Sequence, residues 1–303
     1  MMLSRRNFLA VSGSLGLGAC SSRARSGGEV PSANSNSEVL AVGAIERQLG
    51  GRLGVHAINV ANGQACGHRA NERFAMASTF KWILGAALLE EVHSGRLSLD
   101  EQLSFGRDDL LEWAPVTSEH VEVGPLSLET LGRAAVASSD NTAANLILDR
   151  IGGPARLTQF VREHGDSITR LDRREPELNE NAPGDERDTT TPRAMAELLQ
   201  ELLCRGGLAE TSRATVESWM QGATTGANRL RAGLPKDWNV GTKSGSGRRN
   251  AVNDVAIARP PSGGPLVIAC YTSGGTASLA THESAHVQVA RALLRQLDVT
   301  ATA

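Results

Sequence analysis

Lysine is almost missing from this sequence. Of its 31 basic side chains only Lys81, Lys236 and Lys243 are lysine, and the other 28 are arginine. Aromatic residues make up 3% of the 303 residues, with one tyrosine, Tyr271. No apolar run approaches the ~20 residues that a membrane-spanning helix needs, so no such helix is expected. The four cysteines, Cys20, Cys66, Cys204 and Cys270, show no C-x-x-C spacing, which argues against a zinc or dithiol motif. Any disulfide among the last three stays undetermined, and Cys270, in an apolar run, reads as a small buried hydrophobe. A net charge of −2 with both signs interspersed provides no face for nucleic acid or an anionic membrane. What remains is a composition of 40% hydrophobic and 21% charged residues, ordinary for a globular chain of one large or two smaller domains.

Scarcity gives the lysines weight. An arginine stays charged, whereas a desolvated lysine can lose its proton and act as a base. Lys236 lies in the turn-like Leu234-Pro235-Lys236-Asp237 and reads as a surface residue, but Lys81 and Lys243 fall inside motifs.

Residues 1–20 read as an export signal. Arg5 and Arg6 precede a short apolar, Gly-rich stretch, and Arg-Arg before Phe8-Leu9 resembles a twin-arginine signal. Leu17-Gly18-Ala19-Cys20 also resembles a lipoprotein cleavage box, making Cys20 a candidate lipid anchor; the alternative is cleavage near Ala19 with Cys20 incidental. Residues 21–37, rich in Ser, Gly and Asn, read as a flexible tether.

Beyond the tether, Glu38–Leu49 has helical spacing and Leu53–Val60 alternates like a strand. Asn62-Gly63 is a hairpin signal before Gln64–His68. The chain is then mostly helical to about Trp219, apart from a charged, Pro-containing segment between Arg170 and Thr191. Three strand-like runs follow, Val240–Ser246, Val252–Arg259 and Pro265–Thr272, and a helix over His282–Leu297 closes the chain. Strands at both ends with helices between predict an α+β fold of two lobes. Residues 38–70 and 222–303 would form a five-stranded antiparallel sheet flanked by helices. Residues 71–221 would form an all-helical lobe, with a site expected in the cleft between the lobes.

Three short motifs carry the chemistry. Ser78-Thr79-Phe80-Lys81 opens an apolar helix and puts Ser78 and Lys81 on one face. A hydroxyl needs an adjacent base to become a nucleophile, and a partly desolvated lysine can serve. The helix N-terminus supplies N–H groups for a developing oxyanion. Ser139-Asp140-Asn141 precedes another helix and, by itself, is capping chemistry. Lys243-Ser244-Gly245 lies in a strand-like run whose glycine would let a substrate approach closely.

The order S-x-x-K, S-D-N, K-[ST]-G resembles class A β-lactamases and their penicillin-binding relatives. The likeness extends to Asp109–Thr117 before the second motif, to Arg174-Glu175-Pro176-Glu177-Leu178-Asn179 in an Ω-loop that it implies at residues 170–188, and to Asp185–Pro192 at its exit. It implies a serine hydrolase that opens β-lactams, acts without metal or cofactor, and works as a monomer in the periplasm or cell envelope. Ser78 would attack the lactam carbonyl. Either Lys81 or Glu175, acting through water, would take the serine proton, and Ser139 would pass a proton to the departing nitrogen. Backbone N–H groups of Ser78 and Ser246 would form the oxyanion hole. Asn141 would bind the substrate's acylamide, and Lys243 and Ser244 its carboxylate. Glu175 with Asn179 would hold and activate the deacylating water, and Arg173 with Asp188 would close the loop. Trp113 would form an aromatic wall at the cleft mouth.

Some positions depart from the commonest pattern. Val252 stands where many relatives carry a carboxylate-binding arginine, and Arg229 matches an alternative source of that guanidinium. Ala77 and Gly247 replace the cysteines of one carbapenemase branch. His282-Glu283-Ser284-Ala285-His286 spells H-E-x-x-H, but reads as a solvent-facing helix start and not a zinc site. The rival readings are a D-alanyl-D-alanine carboxypeptidase or another penicillin-binding protein, and a non-enzymatic penicillin receptor. Both lack the Glu-x-x-x-Asn pair, and a receptor would need a membrane-spanning segment. Tyr271, in a strand, cannot supply the Tyr-x-Asn motif of other serine β-lactamase classes.

Overall fold

The computed structural model describes residues 34–297 and Val299. The signal-like residues 1–20, with Cys20, and most of the expected tether lie outside the described residues.

Five strands form one antiparallel sheet: β1 (Arg52–Asn59), β2 (Ala65–His68), β3 (Asn239–Gly247), β4 (Ala251–Arg259) and β5 (Leu266–Ser273), in the order β2-β1-β5-β4-β3. The fold is α+β, as the sequence pattern predicts. β1 and β5, far apart in sequence, pair from Arg52↔Ser273 to Asn59↔Leu266. Because alternate residues of a strand point to opposite faces, the sheet feeds two apolar cores. Leu53, Val55, Ala256, Ile268 and Cys270 pack under two terminal helices, α1 (Asn34–Leu49) and α8 (Leu279–Gln296). Val255, Ile257, Val267, Ala269 and Tyr271 face the helices of the middle of the chain. Both faces are covered, so strands such as Leu266–Tyr271 read as continuous apolar runs without alternation.

The middle segment contains α2 (Phe80–His93), α3 (Leu128–Ala137), α4 (Asn141–Ile151), α5 (Gly153–Glu163), α6 (Pro192–Cys204) and α7 (Glu210–Gln221). Helix α2 is buried nearly all round, Phe80 through Leu89 being enclosed by the others, as befits a helix apolar on every side. This lobe is not purely helical. Phe74–Ala75 pairs with Thr189–Thr190, and Gln102–Leu103 with Leu126–Ser127. Two-residue ladders leave no periodicity in a sequence, and only tertiary pairing reveals them.

Two further expectations are corrected. Helix α1 begins at Asn34, so residues 34–37 are helical and not part of a tether. Asn and Ser cost only tenths of a kcal/mol in a helix, which a well-packed downstream turn offsets. The H-E-x-x-H run is not solvent-facing: His282 and His286 are both buried. Their four-residue spacing sets them on the inward stripe of α8 with Val289, Ala290 and Leu293. Among the described residues no helix is long and apolar enough to cross a membrane.

Candidate active site

Ser139 and the residue preceding Ser78 sit on strained backbone. A short 3-10 turn, Ala77–Thr79, carries Ser78 into α2, and Ala77 holds φ +45°. Ser139 holds φ +60°. Each left-handed non-glycine residue costs about 1–2 kcal/mol, which the surrounding packing must offset. Ser78 does not cap its helix; its hydroxyl donates to Glu175 Oε1 at 3.2 Å.

Lys81, one turn into α2, is fully buried. Its ammonium has three protons and finds three acceptors: Glu175 Oε1 at 3.0 Å, the Ser139 carbonyl at 2.9 Å and Asn141 Oδ1. Burial lowers the Lys81 pKa, and the negative charges of Glu175 and Asp140 oppose that shift. Desolvation thus brings Lys81 towards the neutral form that a proton acceptor requires.

The Ser-Asp-Asn motif divides its labour. Asp140 does the capping, accepting from Ala143 N at 2.8 Å and from Val116 N and Thr117 N at 2.9 Å. That work leaves Ser139 and Asn141 available. Lys243 Nζ donates to Ser139 Oγ at 3.0 Å while Lys81 holds the Ser139 carbonyl, so two lysines grip one serine from opposite ends. With Asn141 Oδ1 committed to Lys81, its Nδ2 is the group left to donate. Burial pushes the Lys243 pKa well below the usual lysine range, and the charge of Lys81 adds to that shift.

Strand β3 lies against the nucleophile's turn. A Cβ at Gly245 would stand 2.9 Å from the Met76 carbonyl and 3.1 Å from the amides of Ser78 and Thr79. The space over this glycine is therefore filled by the protein's own turn. Next along the strand, Ser246 Oγ accepts from Arg229 Nη2 at 2.8 Å, which leaves its hydroxyl proton to point elsewhere. Arg229 Nη1 also donates to the Gly245 and Asn253 carbonyls. Val252 is buried in β4. Ser244 Oγ pairs with Thr225 Oγ1 at 2.8 Å.

The Ω-loop delivers the second carboxylate. Glu175 Oε2 accepts from Asn179 Nδ2 at 2.5 Å, and the Asn179 Oδ1 is a buried acceptor without a partner. Asn145 on α4 fixes the backbone of Glu175 at both its N–H and its carbonyl. Asp188, fully buried, takes Arg173 Nε at 2.5 Å and the amides of Asp172 and Arg173. From the same residue the carbonyl accepts Met76 N at 2.9 Å, tying the loop exit to the nucleophile's turn.

Several of these side chains border one cleft. A cavity of about 840 Å³ is lined by Trp113, Asn141, Asn179 and Ser246 among others, bringing the helical middle of the chain, the Ω-loop and strand β3 together. Trp113 is 53% exposed, its indole N–H bonded to the Ser138 carbonyl, so it is a rim residue and not a core one. Of the candidate residues, Trp113, Asn141, Asn179 and Ser246 line this cavity, and hydrogen bonds join Glu175 to Asn179, Lys81 to Asn141 and Arg229 to Ser246. Sequence reading missed Asn145, Thr225, Asn253 and Asp254. Only Asn145 left a signal, lying one helical turn beyond Asn141 on the same face. Among the described residues no three His, Cys, Asp or Glu side chains converge as metal ligands.

The model of a family described as "Beta-lactamase enzyme family" matches residues 38–297. Two Escherichia coli proteins, β-lactamases CTX-M-97 and Toho-1, are each 45% identical over 239 residues, or 79% of this chain and 82% of theirs. A β-lactamase from Xanthomonas campestris pv. campestris superimposes with TM-score 0.85 at 43% identity, covering 87% of this chain and 98% of its own. An ancestral class A β-lactamase superimposes at 0.83 with 44% identity, covering 85% of this chain and 99% of its own.

Proposed function

The chain belongs to the class A serine β-lactamase family, and from that membership we propose a division of labour among its residues. The protein is an enzyme: it hydrolyses the amide bond of β-lactam antibiotics and thereby confers resistance to them. Ser78 is the nucleophile. Its proton passes to the Glu175–Lys81 pair, which shares a single carboxylate oxygen within hydrogen-bond reach of the Ser78 hydroxyl. The amides of Ser78 and Ser246 stabilise the oxyanion, a contribution typically of a few kcal/mol per donor. Ser139, fed by Lys243, returns a proton to the lactam nitrogen. Asn141 Nδ2 donates to the acylamide carbonyl. Ser244, Ser246 and Arg229 hold the carboxylate, with Lys243 and Gly245 shaping that wall and Trp113 bounding the cleft.

The observation that carries this reading is Glu175. An acyl-serine shielded from solvent is long-lived unless a base activates a held water. Glu175 stands over Ser78, and Asn179 bonds it while offering a free buried acceptor to such a water. The Glu175→Ala protein mixed with benzylpenicillin should accumulate a penicilloyl adduct on Ser78, visible as added intact mass. Ser78→Ala should show none. Full turnover by Glu175→Ala refutes the assignment, and a stable adduct on the unmodified enzyme would make it a penicillin target instead.

The finer setting is also a proposal. The twin-arginine-like leader and the box ending at Cys20 support export to the periplasm or cell envelope, with lipid attached at Cys20. Incorporation of labelled palmitate, lost in Cys20→Ala, tests the anchor. We read the enzyme as a monomer, since one chain supplies every group of the site; sedimentation tests that.

A further inference from the structure

Ten buried side-chain polar atoms of the described residues lack a hydrogen-bond partner, and four of them gather behind β3 and β4: Arg229 Nε, Asp254 Oδ1 and both ring nitrogens of His282. Unpartnered buried polar groups are rare in folded proteins, and a cluster of them needs a reason. Arg229 is only 5% exposed, yet its three hydrogen bonds all go to neutral oxygens. A buried guanidinium requires a counter-charge.

Asp254 supplies it. The carboxylate is fully buried on β4, paired in register with Ser244. Its Oδ2 accepts from Leu230 N at 3.1 Å and so anchors the backbone next to Arg229. Among carboxylates, the charge of Asp254 acts most strongly on Arg229, with Glu283 of α8 next. A substrate carboxylate arriving at Ser244, Ser246 and Arg229 would set a second anion against the same guanidinium. Two anions sharing one cation favour protonation of the buried one.

We propose that Asp254 is the counter-ion and positioning residue of Arg229, and that capture of a substrate carboxylate is coupled to protonation of the Asp254 fraction still ionised. The proton comes from bulk water on binding and returns on product release. The inference rests on Arg229 belonging to the carboxylate subsite. Burial already holds Asp254 near pH 7: its pKa is raised to about 7, opposed by Arg229, the Leu230 N–H, Lys243 and Arg231. Both protonation states are therefore accessible at neutral pH. The other groups around it are accounted for. Cys270 on β5 is pushed far up and stays a thiol. On α8, burial lowers His282 and takes His286 down to about 3, so both stay neutral. Lys243 and Lys81, both lowered by burial, are the competing proton acceptors.

Calorimetric titration of the Ser78→Ala protein with benzylpenicillin, at pH 7 in buffers of different ionisation enthalpy, counts protons taken up without acylation. Roughly half a proton per site is expected, because a group titrating near 7 is about half ionised there. Ser78→Ala/Asp254→Asn should take up none, and Asp254→Asn in the active enzyme should show a KM flat between pH 6 and 8 where the parent's rises. No uptake by Ser78→Ala overturns the proposal, and that result needs no Asp254 variant to fold. Equal uptake in the double variant also overturns it, placing the proton on a lysine. The underlying subsite fails separately, if Ser78→Ala/Arg229→Ala binds benzylpenicillin as tightly as Ser78→Ala.

Discussion

Asn145 clasps Glu175 by its main chain: the amide Oδ1 accepts from Glu175 N at 3.1 Å and Nδ2 donates to the Glu175 carbonyl at 2.9 Å. A side chain on a rigid helix thereby sets where a loop carboxylate stands. Asn145→Ala should leave acylation fast and slow deacylation roughly 100-fold, because misplacing a reacting group by about 1 Å costs on that order. Stopped-flow hydrolysis would show a burst followed by a slow steady state. Unchanged turnover would make the clasp merely structural.

Gly245 should tolerate no side chain. Ala at this position puts a methyl 2.9 Å from the Met76 carbonyl and 3.1 Å from Ser78 N, both backbone atoms that can yield only by moving the nucleophile. Gly245→Ala should lose about 100-fold or more in kcat/KM, through acylation. A variant with normal acylation would show that the turn can shift freely.

The Ω-loop depends on a buried charge. Asp188→Ala leaves Arg173 Nε and two amides without their acceptor, while Glu180 still holds Arg173 Nη1. Removing one partner of a buried pair costs about 3–5 kcal/mol. For a chain of this size the melting temperature should fall by roughly 6–12 °C at the low end of that range. A shift below 2 °C would mean that the loop is held by its other contacts.

Acid should weaken the fold through buried histidines. Burial lowers His56 to about 4 and His286 to about 3, both below the unfolded value near 6.5. The native state therefore binds fewer protons than the unfolded chain in that window. The stability these groups confer is full above pH 6.5 and is lost as pH falls towards 4 and 3. From pH 6.5 to 5 each should cost about 2 kcal/mol. Asp254, raised to about 7, works in the opposite direction, gaining stability as pH falls from 7. Urea unfolding of His286→Gln beside the parent isolates one histidine, and its loss over that range should be smaller by that amount. Parallel curves would show that His286 takes up protons in the folded state.

Much of this molecule was legible in order and spacing. The strands Val240–Ser246 and Val252–Arg259 emerge within one residue at each end, because both sheet faces are covered and most positions are apolar or small, Lys243, Asn253, Asp254 and Arg259 being the exceptions. The lysines stood out since arginine fills nearly every other basic position, and arginine cannot give up its proton. Motif order sufficed to nominate Ser78, Lys81, Ser139, Lys243 and Glu175. What no one-dimensional reading could decide was orientation and partnership. Helical periodicity places His282 and His286 on one face but does not say whether water or a sheet lies beyond it. Asp254 looks like any polar residue in a strand, and becomes a buried counter-ion only when Arg229, a separate segment, folds over it. Local patterns record what a segment prefers by itself, whereas burial and charge pairing are properties of segments brought together from distant parts of the chain.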